Sequence, residues 1–214
     1  MKLQNPFTAI CCDADAAVLL ALGRAPVELT AQQVFGLAAG PSLSSVRRSL
    51  ERLARGGVIN ERVLGQARGY SLNQQHLLAR PIQDIAHATE ELYSRIAQSL
   101  DAWPVSVAGC VLFGSAARGE MGDSSDIDLL ILVDSESAAV QVENGVYELS
   151  RQVEVWTVAS ANVVVWTADQ DHPGAILDNI VDEGKTIYGN PQHVWGILRG
   201  IRDTTSGQRK DRTS

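Results

Sequence analysis

The sequence predicts a two-domain α+β protein, in which a helical N-terminal module closed by a β-hairpin precedes a small mixed-sheet α/β module. Helix-capping and helix-breaking residues divide the first 75 residues into three helices and two short strands. After Trp103, strand-length apolar runs alternate with helical periodicity, which is typical of an α/β sheet. Residues 1–80 hold nine Lys+Arg and five Asp+Glu, whereas residues 81–214 hold nine and twenty, so the charge also changes between the modules.

Composition limits the classes of protein to consider. The chain has 214 residues, of which 45% are hydrophobic and 20% charged, as in ordinary globular domains. Apolar runs such as 129–133 are far shorter than the ~18 residues of a membrane span. The N-terminus lacks the pattern of a signal peptide. Three cysteines without a spacing motif fit buried thiols in a reducing compartment. We therefore expect a cytoplasmic protein that does not interact with membranes.

Residues 1–75 predict a winged helix-turn-helix. Asp13 is a candidate cap for a helix that ends at Gly23, and Thr30 caps a second helix. A third helix begins at Ser42 or Ser44 and ends at the glycine pair 56–57. The segments VINERVL and GYSLN form a hairpin around the sequence GQAR.

The third helix has an apolar face and a basic face. Leu43, Val46, Leu50 and Leu53 recur at helical spacing and should pack inward. The opposite surface and the hairpin carry six arginines that we predict to contact double-stranded DNA: Arg47, Arg48, Arg52, Arg55, Arg62 and Arg68. The alternative is a solvated helix face. The tract SLSSVRRSLERLARGGVI and the element order resemble the winged-helix domains of bacterial transcription regulators.

Residues 76–101 predict one long helix with Pro81 near its start and an apolar stripe along one side. Two interpretations stay open. The helix either connects the two modules, or it forms a homodimer that would suit the two-fold half-sites of DNA.

Residues 102–192 form the predicted second module. Strands are expected at 105–114, 126–133, 162–167 and 185–189, with helices containing residues 116–117, 145–157 and 173–184. Residues 193–214 are predicted as a C-terminal tail, disordered in its polar part.

Asp126 and Asp128 stand one residue apart at the start of the second of these strands. Alternate residues of a strand point to the same face, so the two carboxylates should converge and repel unless a cation joins them. Hard oxygen donors around an open space suit Mg²⁺. Gly114 and Ser115 follow the preceding strand, where glycine allows a phosphate to approach the backbone and serine can hold it. This combination predicts phosphoryl or nucleotidyl transfer.

The order of strand, Gly-Ser, a spacer containing ARGE (117–120) and SDIDLLIL closely resembles the signature of the nucleotidyltransferase superfamily that includes DNA polymerase beta, especially its small bacterial members. The resemblance covers about residues 104–189. It implies that Gly114 and Ser115 bind the triphosphate and that Asp126 and Asp128 hold Mg²⁺. Arg118 either contacts the nucleotide or forms a local salt bridge.

One feature departs from the family pattern. Active members usually carry a third catalytic carboxylate on a later strand, and the matching strand, NVVVWT, has no acid. Asp169, Asp171 and Glu154 lie nearby in the sequence, and Asp169 is the weak candidate for the third catalytic acid.

The sequence therefore leaves two classes of function open. The first is a Mg²⁺-dependent nucleotidyltransferase that acts on a nucleoside triphosphate and an unknown acceptor, fused to a DNA-binding domain. The second is a transcription regulator or a toxin–antitoxin component whose nucleotidyltransferase domain binds nucleotide or dimerises without turnover.

Overall fold

The computed structural model describes residues 1–38, 40–167 and 174–211. The chain divides into two compact units, Met1–Glu91 and Leu92–Ser214.

The first unit contains a 3₁₀ turn, four helices and a three-stranded sheet. In chain order its elements are the turn Pro6–Ala9, α1 (Asp13–Arg24), β1 (Leu29–Thr30), α2 (Ala31–Leu37), α3 (Leu43–Arg55), β2 (Ile59–Leu64), β3 (Ala67–Leu72) and α4 (Ala79–Ala86). The strands are antiparallel in the order β1-β3-β2. Helix α5 (Ala88–Asp101) begins at the end of this unit and continues into the second.

Two of the predicted helix starts are confirmed by their hydrogen bonds. The Thr30 hydroxyl accepts a hydrogen bond from the backbone N–H of Gln33, and the side-chain oxygen of Gln33 accepts one from the backbone N–H of Thr30. These two bonds form a capping box. Ser42 caps α3 by accepting from the Ser45 amide. The expected cap at Asp13 was wrong: Asp13 is already the first helical residue, and Cys12 precedes it without a side-chain cap bond.

The hairpin turn is tighter than the sequence suggested. Register runs without interruption from Ile59 opposite Leu72 to Leu64 opposite Ala67, so only Gly65 and Gln66 remain in the turn. Gly65 has a φ of 62°, in the left-handed region that glycine favours. Arg68 therefore lies within β3 instead of in the predicted turn segment GQAR.

The predicted apolar face of α3 packs into the core of the first unit. Val46 and Leu50 are fully buried and Leu53 is nearly so, whereas Leu43 is half-buried. Val46, Leu50 and Leu53 share one core cluster with buried residues of α1, α2 and the sheet, namely Val18, Leu22, Val34, Ile59 and Tyr70.

The single helix predicted over 76–101 is two helices, α4 and α5, separated at His87. The carbonyl of Ala86 accepts a hydrogen bond from the Arg24 guanidinium at 2.8 Å. The Thr89 hydroxyl donates to the Leu3 carbonyl at 2.7 Å. We attribute the interruption to the bond from Arg24, because the Ala86 carbonyl is a main-chain acceptor at the end of α4.

The second unit is built on a four-stranded mixed sheet. After α5 the elements are β4 (Val107–Phe113), α6 (Gly114–Arg118), β5 (Ile127–Val133), α7 (Glu136–Gln141), α8 (Glu143–Thr157), β6 (Ala161–Thr167), α9 (Gly174–Glu183), β7 (Lys185–Gly189) and α10 (Pro191–Asp211). The strand order is β6-β5-β4-β7. Strands β5 and β6 are parallel, and the other pairs are antiparallel.

Residues Pro191–Asp211 form helix α10, where the sequence had predicted a C-terminal tail over 193–214. Asn190 caps it: its side-chain oxygen accepts from the amides of Gln192 and His193 at 2.9 and 3.3 Å. Val194, Leu198 and Ile201 follow helical spacing and are buried against the sheet and α9. These three residues make α10 part of the core.

Within the described ranges, no helix has both the length and the apolar character needed to cross a bilayer.

Candidate active site

Asp126 and Asp128 lie at the beginning of β5, the second strand from one edge of the sheet. Asp128 is the one charged residue of this strand, and the residues that follow it, 129–133, are buried. Asp128 is half-buried and Asp126 is exposed. Ile127 between them is fully buried, so the two carboxylates share the opposite, open side of the chain. The apolar strand thus fixes a pair of charges at its accessible end.

Gly114 lies directly against this pair. Strand β4 runs antiparallel to β5 with Phe113 opposite Asp128, and Gly114 is the next residue. Its φ is 68°, and a Cβ at this position would come within 2.5 Å of an Asp128 carboxylate oxygen. The backbone can approach the carboxylate this closely only because the residue is glycine.

Ser115 occupies the turn between β4 and the body of α6. It is half-buried, and its carbonyl accepts from the Glu120 amide at 2.9 Å. Gly119 ends α6 in the left-handed conformation with a φ of 75°. The sheet register therefore places Gly114 next to Asp128, and Ser115 follows it as the second residue of α6.

Arg118 forms the local salt bridge that was one of its two predicted roles, and a second salt bridge with a residue distant in the sequence. Its Nε donates to Glu120 at 2.7 Å, and a terminal guanidinium nitrogen donates to Glu183 of α9 at 2.6 Å. The hydrogen bonds to Glu120 and Glu183 raise the pKa of Arg118. The sequence motif anticipated Glu120, but Glu183 is a contact between distant segments that no local pattern could reveal.

Asn162 is the site residue that the sequence analysis missed. Strand β6 pairs in parallel with β5, and Asn162 is in register with Asp128. The Asn162 amide nitrogen donates to Asp126 at 3.3 Å and to Asp128 at 3.1 Å. Asn162 is the first residue of the segment NVVVWT, where the family pattern predicts a carboxylic acid and not an amide.

The candidates for a third acid are not brought to this pair in the described structure. Asp169 and Asp171 lie outside the described residues. Glu154 is exposed on α8. Within the described part of the chain, no group of three or more His, Cys, Asp or Glu side chains is arranged to hold a metal ion.

The donor set at Asp126 and Asp128 nevertheless suits a hard cation. Two carboxylates point into open space, and among the described residues the amide of Asn162 donates a hydrogen bond to each, which offsets their repulsion. Mg²⁺ binds through one or two carboxylates and completes its shell with water and substrate phosphates. Two carboxylates beside an accessible turn are therefore a sufficient protein contribution to such a site.

A groove of about 480 Å³ adjoins the pair through Asn162. One wall is β6, with Ala161, Asn162, Val163 and Val164, and the other is α8, with Glu143, Val146, Tyr147 and Ser150. Tyr147 is largely exposed along this groove.

The six arginines of the first unit fall into two sets. Three form ion pairs: Arg52 with Asp15 at 2.6 Å, Arg62 with Glu28 at 3.9 Å, and Arg68 with Glu61. Arg47, Arg48 and Arg55 are exposed on α3, and among the described residues none of them forms an ion pair.

The ion pair between Arg52 and Asp15 joins α3 to α1. Burial alone would raise the pKa of Asp15, but hydrogen bonds from Arg52 and Ser49 bring it below its ordinary value. The same Asp15 bond raises the pKa of Arg52. Asp15 lies 37 positions before Arg52 in the sequence, so helical spacing within α3 could not show that this arginine pairs with α1.

Comparison with known proteins identifies the second unit. Residues 95–193 match the family described as "Polymerase beta, Nucleotidyltransferase". This part of the chain is a nucleotidyltransferase-fold domain. No curated protein matches the chain.

Solved structures similar to this chain include a toxin–antitoxin with AMP-PNP, at 17% identity and a TM-score of 0.45, covering 56% of this chain and 92% of the other. Another is a complex of a tri-AMPylated HEPN toxin and MNT antitoxin from Shewanella oneidensis, at 16% identity and a TM-score of 0.42, covering 58% and 92%.

Proposed function

We propose that the second unit is a Mg²⁺-dependent nucleotidyltransferase that transfers a nucleotide from a nucleoside triphosphate to an acceptor, and that the first unit binds double-stranded DNA. One observation carries the enzymatic proposal. In a nucleotidyltransferase-fold domain, the Asp126 and Asp128 carboxylates converge beside the tight turn at Gly114.

Each residue has a distinct part in this proposal. Asp126 and Asp128 would hold Mg²⁺, which when bound neutralises charge on the phosphates under attack. Ser115 and the backbone at Gly114 would bind the triphosphate, because the turn offers a hydroxyl and close backbone approach. Arg118 pairs with Glu120 and Glu183, so a contact with phosphate would require it to exchange at least one of them.

The acceptor would approach along the groove between α8 and β6. Asn162 lines the groove and contacts both aspartates, so a group bound beside Asn162 would lie near the metal-binding pair. The lining of the groove combines Tyr147 and aliphatic side chains with the polar residues Glu143, Ser150 and Asn162.

Nucleotide transfer also requires a base that removes the proton of the acceptor's hydroxyl group. The amide of Asn162 is not a base, so this role would fall to Asp126, Asp128, Asp169 or solvent. The same observation favours the second candidate function, a regulator whose second unit binds nucleotide without turnover.

A transfer assay separates the two functions. The intact chain is incubated with Mg²⁺, nucleoside triphosphates labelled on the α-phosphate, and cell extract as the source of acceptors. An enzyme incorporates label into an acceptor and releases pyrophosphate, and Asp128→Asn abolishes both. Nucleotide binding without incorporation or pyrophosphate release would support the regulator. Co-purification of a stoichiometric partner chain would add the toxin–antitoxin role.

DNA binding by the first unit is supported by the exposed basic surface of α3 and by the helix, helix, helix, hairpin order of a winged helix-turn-helix. Arg47, Arg48 and Arg55 are the arginines available to phosphates. Arg52, Arg62 and Arg68 would have to leave acidic partners first.

A further inference from the structure

Asn162 occupies the place on the sheet that directly neighbours Asp128. The two residues are in register on parallel strands, and register partners project to the same face of a sheet. The Asn162 amide nitrogen is 3.1 Å from one Asp128 oxygen and 3.3 Å from one Asp126 oxygen. Asn162 therefore contacts both members of the pair at once.

The chemistry of this contact depends on whether a cation is present. Ionised carboxylates only accept hydrogen bonds, so the amide must turn its two N–H donors toward them when nothing else does. The other end of the same group is Oδ1, a neutral hard oxygen of the type that oxygen-binding cations accept as a ligand. A half-turn about the terminal side-chain torsion exchanges the two ends, and this torsion is broad in asparagine. Asn162 is exposed, so no packed neighbour blocks the exchange.

We propose that Asn162 is the third side chain of the cation site, an amide that holds Asp126 and Asp128 together without metal and presents Oδ1 to the cation when it binds. The inference rests on the proposed function of this pair. It means that the cation meets two negative side chains and one neutral one. The site would then hold a free cation weakly and depend on the negative phosphates of the nucleotide for firm binding.

Three variants of the intact chain test this assignment. Asn162→Ala removes both the donor and the oxygen, and Asn162→Asp replaces the donor by a third carboxylate. Asn179→Ala is the control, because Asn179 is an exposed asparagine on α9 that lines neither the groove nor the carboxylate pair. The measurements are the metal-free melting temperature and the dissociation constant of Mn²⁺ alone by calorimetry.

The proposal predicts a distinct pattern. Asn162→Ala lowers the metal-free melting temperature and weakens Mn²⁺ binding by about tenfold, in the range typical of losing a metal-site partner. Asn162→Asp lowers the metal-free melting temperature further, through repulsion among three carboxylates, yet tightens Mn²⁺ binding. Asn179→Ala neither lowers the melting temperature nor weakens Mn²⁺ binding.

The sign of the Asn162→Ala effect is decisive. Tighter or unchanged Mn²⁺ binding would overturn the proposal, because the amide would then only compete with the cation for the carboxylates. If binding is lost in Asp126→Asn/Asp128→Asn but unaffected at Asn162, this inference fails while the proposed function stands. If the unmutated chain binds Mn²⁺ neither alone nor together with a nucleoside triphosphate, both fail.

Discussion

Gly114 shows at the scale of one residue how the sheet builds the site. Two constraints act on it: a φ of 68°, and the Asp128 oxygen 2.5 Å from where a Cβ would stand. The sequence predicted that glycine was needed here, but for phosphate access. The structure adds a cause that the sequence could not contain, since the register of β4 against β5 decides that Asp128 is the neighbour.

We expect Gly114→Ala to destabilise the protein by about 1–3 kcal/mol, the range for a strained backbone conformation. The added methyl group also displaces Asp128, so Mg²⁺-dependent nucleotide binding should weaken. Urea unfolding measures the first effect and calorimetry the second. Gly122→Ala is the control, because a Cβ there meets nothing nearer than a Ser125 hydroxyl at 3.7 Å. Equal stability of the two variants would refute the steric account.

Asn162 is a site residue whose type does not reveal its role. The sequence located Asp126, Asp128, Gly114 and Ser115 because each has the chemistry expected of its role. An asparagine at a strand start carries no such signal, and only the parallel pairing of β5 with β6 brings it to the carboxylates.

At the scale of elements, the sequence predicted the helices whose ends carry capping residues or glycines. It missed helix α10, although the apolar residues of that helix follow helical spacing. Thr30, Ser42 and the glycines at 56–57 mark the helices of the first unit, and these boundaries are confirmed. The polar distal residues of helix α10 led to the prediction of a tail there. Its apolar residues contribute to the core, whose other partners come from distant segments.

Helix α10 supplies a prediction of stability. Leu198 is fully buried against the sheet, so Leu198→Ala should cost about 2–5 kcal/mol of the free energy of unfolding. Arg199 is the adjacent, exposed residue, and Arg199→Ala should leave that free energy nearly unchanged. Urea denaturation of the two variants makes the comparison. Similar midpoints would mean that α10 does not pack as described.

Helix α3 supplies a prediction of DNA binding. Replacing Arg47, Arg48 and Arg55 together by alanine should weaken binding of the intact chain to duplex DNA and reduce its salt dependence. Each lost phosphate contact lowers the slope of log affinity against log salt by about 0.9. Fluorescence anisotropy at several salt concentrations measures both quantities. Glu51→Gln on the same helix, which removes a negative charge, is the control and should not weaken binding. An unchanged salt slope in the triple variant would count against α3 as the DNA-contacting helix.

A substitution of Arg52 distinguishes a structural role from a DNA-binding role among the arginines of α3. Arg52→Ala leaves Asp15 without its cation, so we expect a lower melting temperature and a weaker effect on DNA affinity than at the other three positions. Differential scanning fluorimetry and the same anisotropy titration measure the two effects. A loss of DNA affinity as large as in the triple variant, with no change in stability, would show instead that Arg52 contacts DNA.

At the scale of the whole molecule, the chain joins a unit with an exposed basic helix to a nucleotidyltransferase-fold unit. The sequence predicts two modules because charge and periodicity both change along the chain, and the boundary between the two compact units lies at residues 91–92, inside the predicted connecting segment 76–101. It could not predict which arginines are paired with acids, since Asp15, Glu28 and Glu61 meet them only through the tertiary fold.

The central claim is that Asp126 and Asp128 form a metal-dependent nucleotide site. The most direct measurement is a calorimetric titration of nucleoside triphosphates into the intact chain with Mg²⁺ at millimolar excess, repeated with Asp126→Asn/Asp128→Asn. The variant keeps the shape of the site and loses its charge, so it should stay folded and, without ligand, be at least as stable as the unmutated chain. We predict that the unmutated chain binds a nucleotide only with Mg²⁺ and that the variant does not bind it. Nucleotide binding that persists in the variant, or no binding by the unmutated chain, would contradict the claim.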